Sequence, residues 1–233
     1  SCYYLGIIKV HSLFGFLCLR ILGATILLHT AAVFAGNTSH NEINNIISKA
    51  DALERVFPDS AIAYYNTALE KAEKLRDGSK ETLLLKYKIN ARIGLLYQYR
   101  TKYFLAYEYF RKAIEAAVAA KDKLREAEGI FNIAESYLEN GSYNLAIMYY
   151  NSALEIYEEL EDKEGVFWSR IGLGLVNREC GNAKLSKEHY DKALETASAA
   201  GNKFYIAVCY NNLGNLYKQK GDFNTSLNYM RVA

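Results

Sequence analysis

Three asparagines near the end of the chain, and two large aromatic residues before them, are of types suited to holding a ligand. The side-chain amides of Asn211, Asn212 and Asn215 can each donate and accept hydrogen bonds, as an extended peptide backbone requires of its partner. Phe131 and Trp168 could supply an apolar pocket for a ligand side chain. The alternative for the asparagines is a solvated helix face that binds nothing, and Trp168 suits a place in the core equally well.

No combination of residues has the spacing of a catalytic or metal centre. Ser, His and Asp form no grouping typical of nucleophilic catalysis, and the four cysteines form no Cys-x-x-Cys motif or Cys/His cluster. Of the 28 basic residues, two precede Gly36, and the remaining 26 balance the 26 acidic residues. A balanced chain lacks the charge excess of a nucleic-acid binder. We therefore predict no catalytic residue, metal, cofactor or bound nucleic acid, and no enzymatic activity.

A repeat of 40 residues must position the candidate ligand contacts. Its copies align without insertions when they are taken to start at Tyr87, Ala127, Phe167 and Ala207. The eighth position is always small: Gly94, Ala134, Gly174 and Gly214. The twenty-fourth position is always large: Phe110, Tyr150, Tyr190 and Met230. Such internal repetition predicts an array of similar structural units rather than one mixed domain.

Helix-pair packing explains the pattern. A glycine inside a helix costs about 1 kcal/mol relative to alanine, so its recurrence at one position indicates that two backbones approach closely there. Large side chains on the partner helix then fill the remaining space. Gly141, Gly181 and Gly221 follow the first helix of each pair, and we predict left-handed backbone conformations for them.

The repeat resembles the tetratricopeptide repeat family. Its clearest copy is Asn211-Asn-Leu-Gly-Asn-Leu-Tyr217 followed by Gly221-Asp-Phe223, and the resemblance covers residues 42–233. It implies an all-α, right-handed superhelical solenoid of antiparallel helix pairs, with repeats starting near 42, 87, 127, 167 and 207 and the last incomplete. The period of 40 exceeds the family's usual period of about 34 residues, so one or both helices must be longer.

The resemblance also implies that the first helix of each pair lines a concave groove that binds a protein or peptide. Ten residues at groove-facing positions are the predicted ligand contacts: Lys88, Arg92, Phe131, Asn132, Glu135, Trp168, Arg178, Asn211, Asn212 and Asn215. Ala91 and Leu95 stand where some family members need the residues of a carboxylate clamp, so we do not expect that mode of binding.

Residues 1–35 differ in character from the rest of the chain. Basic residues flank an apolar region, Ile21–Leu28 is a hydrophobic run, and Val33 and Ala35 suit cleavage after Ala35. We predict a signal peptide in residues 1–35 and hence an exported, periplasmic protein. The alternative is an uncleaved membrane anchor in residues 13–35.

The remaining expectations concern the context of the repeats. Residues 36–41 are predicted to form a mobile linker before the solenoid of residues 42–233. The sequence stops without a polar capping helix, so we expect a fragment of a longer protein. The resemblance to exported bacterial repeat proteins implies the sensor part of a larger signalling or regulatory protein. The alternative is a free-standing or membrane-anchored scaffold for envelope protein assembly.

Overall fold

The computed structural model describes residues 39–232, and these form ten α-helices and no β-strand. The helices are α1 (39–53), α2 (Pro58–Leu75), α3 (Lys80–Tyr99), α4 (Tyr103–Ala119), α5 (Lys123–Glu139), α6 (Tyr143–Glu159), α7 (Lys163–Glu179), α8 (Ala183–Ala199), α9 (Lys203–Gln219) and α10 (Phe223–Val232). The predicted signal peptide or anchor lies outside the described residues. No helix within residues 39–232 combines the length and hydrophobicity needed to cross a bilayer.

The helices stack in chain order, and they form two layers. Each helix from α2 onward packs against the next one, and in addition α3 contacts α5, α5 contacts α7 and α7 contacts α9. The first helices α3, α5, α7 and α9 therefore form one layer, which we call the inner helices. The second helices α4, α6, α8 and α10 are called the outer helices. The predicted all-α solenoid of antiparallel helix pairs is confirmed.

One turn geometry recurs every 20 residues. Residues with positive φ occur at positions 101, 121, 141, 161, 181, 201 and 221. At the turn after α5, the Gly141 N–H donates to Leu138 O and the Ser142 N–H donates to Tyr137 O, which is the Schellman pattern. The predicted left-handed conformations of Gly141, Gly181 and Gly221 are confirmed. Helices of 17 residues alternate with three-residue turns from α4 to α9, so both helices of a pair share the extra length.

The turn at Glu161 provides a test of this backbone account. Glu161 is exposed and has φ 54°, a conformation that is strained for a residue with a side chain. We expect Glu161→Gly to raise the free energy of unfolding by about 0.5–1 kcal/mol, because relief of strain exceeds the added entropy of the unfolded chain. Gly141→Ala should lower it by about 1 kcal/mol. Urea unfolding measures both, and a less stable Glu161→Gly protein would contradict the account.

The small eighth position receives the large twenty-fourth residue of the same repeat. A Cβ atom placed on Gly174 would lie 2.3 Å from Cε1 of Tyr190, and one on Gly94 would lie 2.6 Å from Cε1 of Phe110. Both aromatic rings are fully buried. The close approach of the two helices of a pair, expected from the recurrent glycines, is thus present.

The structure corrects two predicted boundaries. Residues 39–41, expected to belong to a mobile linker, lie in α1. His40 is buried there, and its Nε2 lies 2.8 Å from Thr82 Oγ1 of α3, which anchors this end of the helix. In addition, α5, α7 and α9 begin four residues before the predicted repeat starts, because Asp122, Asp162 and Asn202 cap them.

Candidate functional site

Three cavities with shared lining residues lie along α3, α5 and α7. The first, of about 410 Å³, lies between Asn44 of α1, Lys88 and Glu128. The middle cavity, of about 330 Å³, also has Lys88 and Glu128 in its lining. The third, of about 290 Å³, lies between α5 and α7 and is lined by Glu128 and Trp168 among others. Because Glu128 lines all three, we call them together the inner groove.

The inner groove brings together half of the predicted ligand contacts. Lys88, Arg92, Phe131 and Asn132 line the middle cavity. Phe131 also lines the third cavity, together with Trp168. Trp168 also packs against the core, with its ring centroid 5.0 Å from that of Phe167 and 5.6 Å from that of Tyr205. The half-buried indole therefore combines the packing role and the surface role that the sequence left open.

The other five predicted contacts line none of these three cavities: Glu135, Arg178, Asn211, Asn212 and Asn215. Asn212 Nδ2 donates to Val208 O at 2.9 Å within its own helix, so that amide N–H already has a partner. The Arg178 guanidinium pairs with Glu179 at 2.8 Å.

The basic residues at the N-terminal end of the inner groove are paired with carboxylates in α1 and in the turn that follows it. Lys88 Nζ lies 3.6 Å from Asp51 Oδ2, and Arg92 Nη1 lies 3.7 Å from Glu54 Oε2. The Tyr65 hydroxyl donates to both Asp51 and Glu54. Burial and these two carboxylates raise the pKa of Tyr65, so the phenol remains a donor. These contacts partly neutralise the cations that the sequence offered to a ligand.

Glu135 is half-buried at the contact between α5 and α6. It accepts a hydrogen bond from the hydroxyl of the fully buried Tyr150. Burial raises the pKa of the Glu135 carboxyl, although the hydrogen bond from Tyr150 acts in the opposite direction. Glu135 therefore supports the packing of α5 against α6.

A pH-dependent stability follows from the raised pKa of Glu135. The folded protein binds the carboxyl proton of Glu135 more tightly than the unfolded chain does. The resulting stabilisation is present below the ordinary pKa of glutamate and is lost as pH rises through the raised pKa of Glu135. Glu135→Gln is neutral at every pH and can still accept from Tyr150. We expect it to match the wild type in acid and to exceed its stability at neutral pH. Urea unfolding of both proteins from acid to neutral pH measures this difference in stability. A stability difference that does not change with pH would contradict the prediction.

Several residues of the inner groove were not predicted from the sequence. Tyr157, whose aromatic ring is buried, forms the floor shared by the middle and third cavities. Gly165 lines the third cavity, and the equivalent residues 40 positions away are Arg125 and Tyr205. The loss of a side chain at this one position was the available sequence signal for the close approach of Tyr157.

Comparison with known proteins found a matching family model and similar curated proteins. A tetratricopeptide repeat family model matches residues 85–159 and 165–233, which together exceed half of the chain. Response regulator aspartate phosphatase A of Bacillus subtilis (strain 168) is 29% identical over 172 residues, covering 69% of this chain and 44% of the relative. The chain thus spans less than half the length of this curated relative.

Solved structures share the fold at low sequence identity. BtubC (BKLC) from P. vanneervenii has a TM-score of 0.72 and 20% identity, covering 88% of this chain and 83% of its own. The Rap conjugation gene regulator of the plasmid pLS20, in complex with the Phr* peptide, has a TM-score of 0.60 and 18% identity. That match covers 84% of this chain and 60% of the regulator.

Proposed function

Because the chain belongs to the tetratricopeptide repeat family, we propose that it is a non-enzymatic module that binds a peptide or protein segment in the inner groove. One observation carries the proposal: three cavities follow one another along α3, α5 and α7 and share Glu128 in their lining. An elongated groove suits an extended chain better than a compact small molecule.

The composition of the groove supports a peptide ligand. Asn132 offers an amide to a peptide backbone, and Phe131 and Leu95 offer apolar contacts to side chains. Leu95 is 39% exposed, so it is available to a ligand. The structural neighbour solved with the Phr* peptide uses the same fold, which further supports the proposal.

Within this function we favour the sensor part of a larger bacterial regulatory protein, exported to the periplasm through residues 1–35. The name of the Bacillus subtilis relative, a response regulator aspartate phosphatase, supports a regulatory context.

A second candidate is a free-standing or anchored scaffold for envelope assembly. It is favoured by Leu105, Leu145 and Leu185, which recur 40 residues apart on the outer helices and are 38%, 42% and 47% exposed. Such an apolar row could contact a second protein.

Peptide selection on the full chain tests the proposed function. A pool of random acetylated and amidated heptapeptides is passed over the immobilised protein, and the enriched sequences are titrated by calorimetry. We expect a shared sequence pattern and saturable binding of one peptide per chain. Absence of enrichment over a blank surface would refute peptide binding by this chain.

A further inference from the structure

The third cavity of the inner groove combines aromatic walls with uncompensated negative charge. Phe131 and Trp168 line it together with Glu128, Asp162 and Glu164. Its lining includes no lysine, arginine or histidine. The middle cavity differs, because Lys88 and Arg92 line it together with Glu128.

Hydrogen bonds hold the three carboxylates in place without neutralising them. Glu128 Oε2 accepts from the Tyr87 hydroxyl at 2.6 Å, and Glu164 Oε1 accepts from the Tyr205 hydroxyl at 2.8 Å. Asp162 Oδ1 accepts from the N–H groups at the start of α7, at 3.1 and 3.3 Å. Within residues 39–232, no lysine or arginine forms an ion pair with any of the three. Arg125 lies nearby but stacks over the Tyr87 ring, 5.6 Å from its centroid.

Tyr157, at the floor of the third cavity, is affected by all three carboxylates. Burial raises the pKa of the Tyr157 hydroxyl, and Glu128, Asp162 and Glu164 raise it further. Tyr157 fits beneath the cavity because Gly165 has no side chain, and a Cβ there would lie 2.2 Å from Cδ1 of Tyr157. The three carboxylates therefore act on one buried residue at the base of the cavity.

The third cavity suits an organic cation better than a metal ion. Within residues 39–232, no group of three or more His, Cys, Asp or Glu side chains is arranged to hold a metal ion. A volume of about 290 Å³ is at the lower end of ligand sites, which span roughly 300–1,000 Å³, and suits one side chain. Leu124, 37% exposed, adds an apolar contact for an aliphatic stem, and the two aromatic rings favour a cationic head.

We propose that the third cavity binds a lysine or arginine side chain of the peptide that occupies the inner groove. The aliphatic stem lies against Leu124 and Phe131, and the cationic head lies beside Trp168 and between Glu128 and Glu164. This assignment rests on the proposed peptide-binding function and adds the residue class that the groove selects.

Position-specific selection tests the assignment. The random heptapeptide pool is applied to the full chain as wild type, Glu164→Gln and Glu128→Gln, with Glu155→Gln as a control on exposed surface of α6. We expect lysine or arginine to be enriched at one peptide position in the wild type and the control. Each groove variant should reduce that preference about tenfold, since one charged hydrogen bond is removed. Circular dichroism verifies that all variants are folded.

Trp168 provides an independent readout, because it is the single tryptophan of the chain. Binding of an enriched peptide should change its fluorescence, and replacing the basic residue with citrulline should weaken that peptide about tenfold. Enriched peptides without a basic position, or a basic preference that Glu164→Gln and Glu128→Gln leave unchanged, would overturn the assignment and leave peptide binding intact. Failure to enrich any peptide would overturn both.

Discussion

Replacing Tyr150 with alanine is expected to lower the free energy of unfolding by about 3–5 kcal/mol, the range for removing a large aromatic side chain from a core. Tyr150 is fully buried at the centre of the solenoid. Its ring meets Phe131 of α5 edge-on at 5.5 Å, and a Cβ placed on Gly172 of α7 would lie 2.3 Å from its Cε1. Its hydroxyl donates to Glu135. One side chain thus joins three helices, and alanine leaves a cavity that the helices cannot close.

The neighbouring residue provides the matched control. Tyr149 is half-buried and stacks on Tyr137 at 5.4 Å, whereas Tyr150 is fully buried. We expect Tyr149→Ala to lower the free energy of unfolding by about 1 kcal/mol, the value of an aromatic pair at a partly solvated site. Urea unfolding, with the same dependence of the free energy on urea concentration for both variants, compares the losses in Tyr150→Ala and Tyr149→Ala. Equal losses would contradict the view that the twenty-fourth position holds the repeats together.

Leu95→Glu is expected to weaken an enriched peptide about a hundredfold. Leu95 lines the middle cavity, and a carboxylate there adds a charge and removes an apolar contact. A large loss at one central groove residue is typical of interface hot spots, and a hundredfold corresponds to about 2.7 kcal/mol. Calorimetric titration of the same peptide into both proteins measures the effect.

Leu105→Glu is the control for this substitution. Leu105 is 38% exposed on the outer helix α4, whereas Leu95 is 39% exposed on the inner helix α3, so both variants add the same charge at equally accessible sites. We expect Leu105→Glu to change the affinity by less than about twofold. A peptide whose affinity falls for Leu105→Glu and not for Leu95→Glu would bind the outer helices instead.

The fold was predictable because packing imposes a period on the sequence. Gly174 and Tyr190 occupy positions that recur every 40 residues, and each identifies a buried contact without knowledge of the rest of the chain. The turn glycines carry the same information, because few other residues adopt positive φ readily. The 20-residue period of the turns was missed because Lys121 and Glu161 adopt the same conformation as the glycines, and their types give no sign of it.

The site was less predictable because its decisive contacts do not follow the repeat. Lys88 and Arg92 pair with Asp51 of α1 and with Glu54 in the turn after it, where the sequence departs from the other repeats. A period identifies the face on which a side chain lies, but it does not identify its partner on a divergent helix. The third cavity likewise depends on Gly165, a single departure from the pattern. Departures from the repeat, more than the repeat itself, distinguish one part of the groove from another.

Site-specific photo-cross-linking tests the central claim, that the ligand lies on the inner helices, most directly. The photoreactive residue benzoylphenylalanine replaces Leu124, 37% exposed in the third cavity, or Leu145, 42% exposed on α6. An enriched peptide is added to each variant of the chain, and the mixture is irradiated and analysed by mass spectrometry. We predict that the chain with the photoreactive residue at position 124 becomes cross-linked to the peptide, whereas the chain with it at position 145 does not. Capture at 145 without capture at 124 would contradict a binding site in the inner groove.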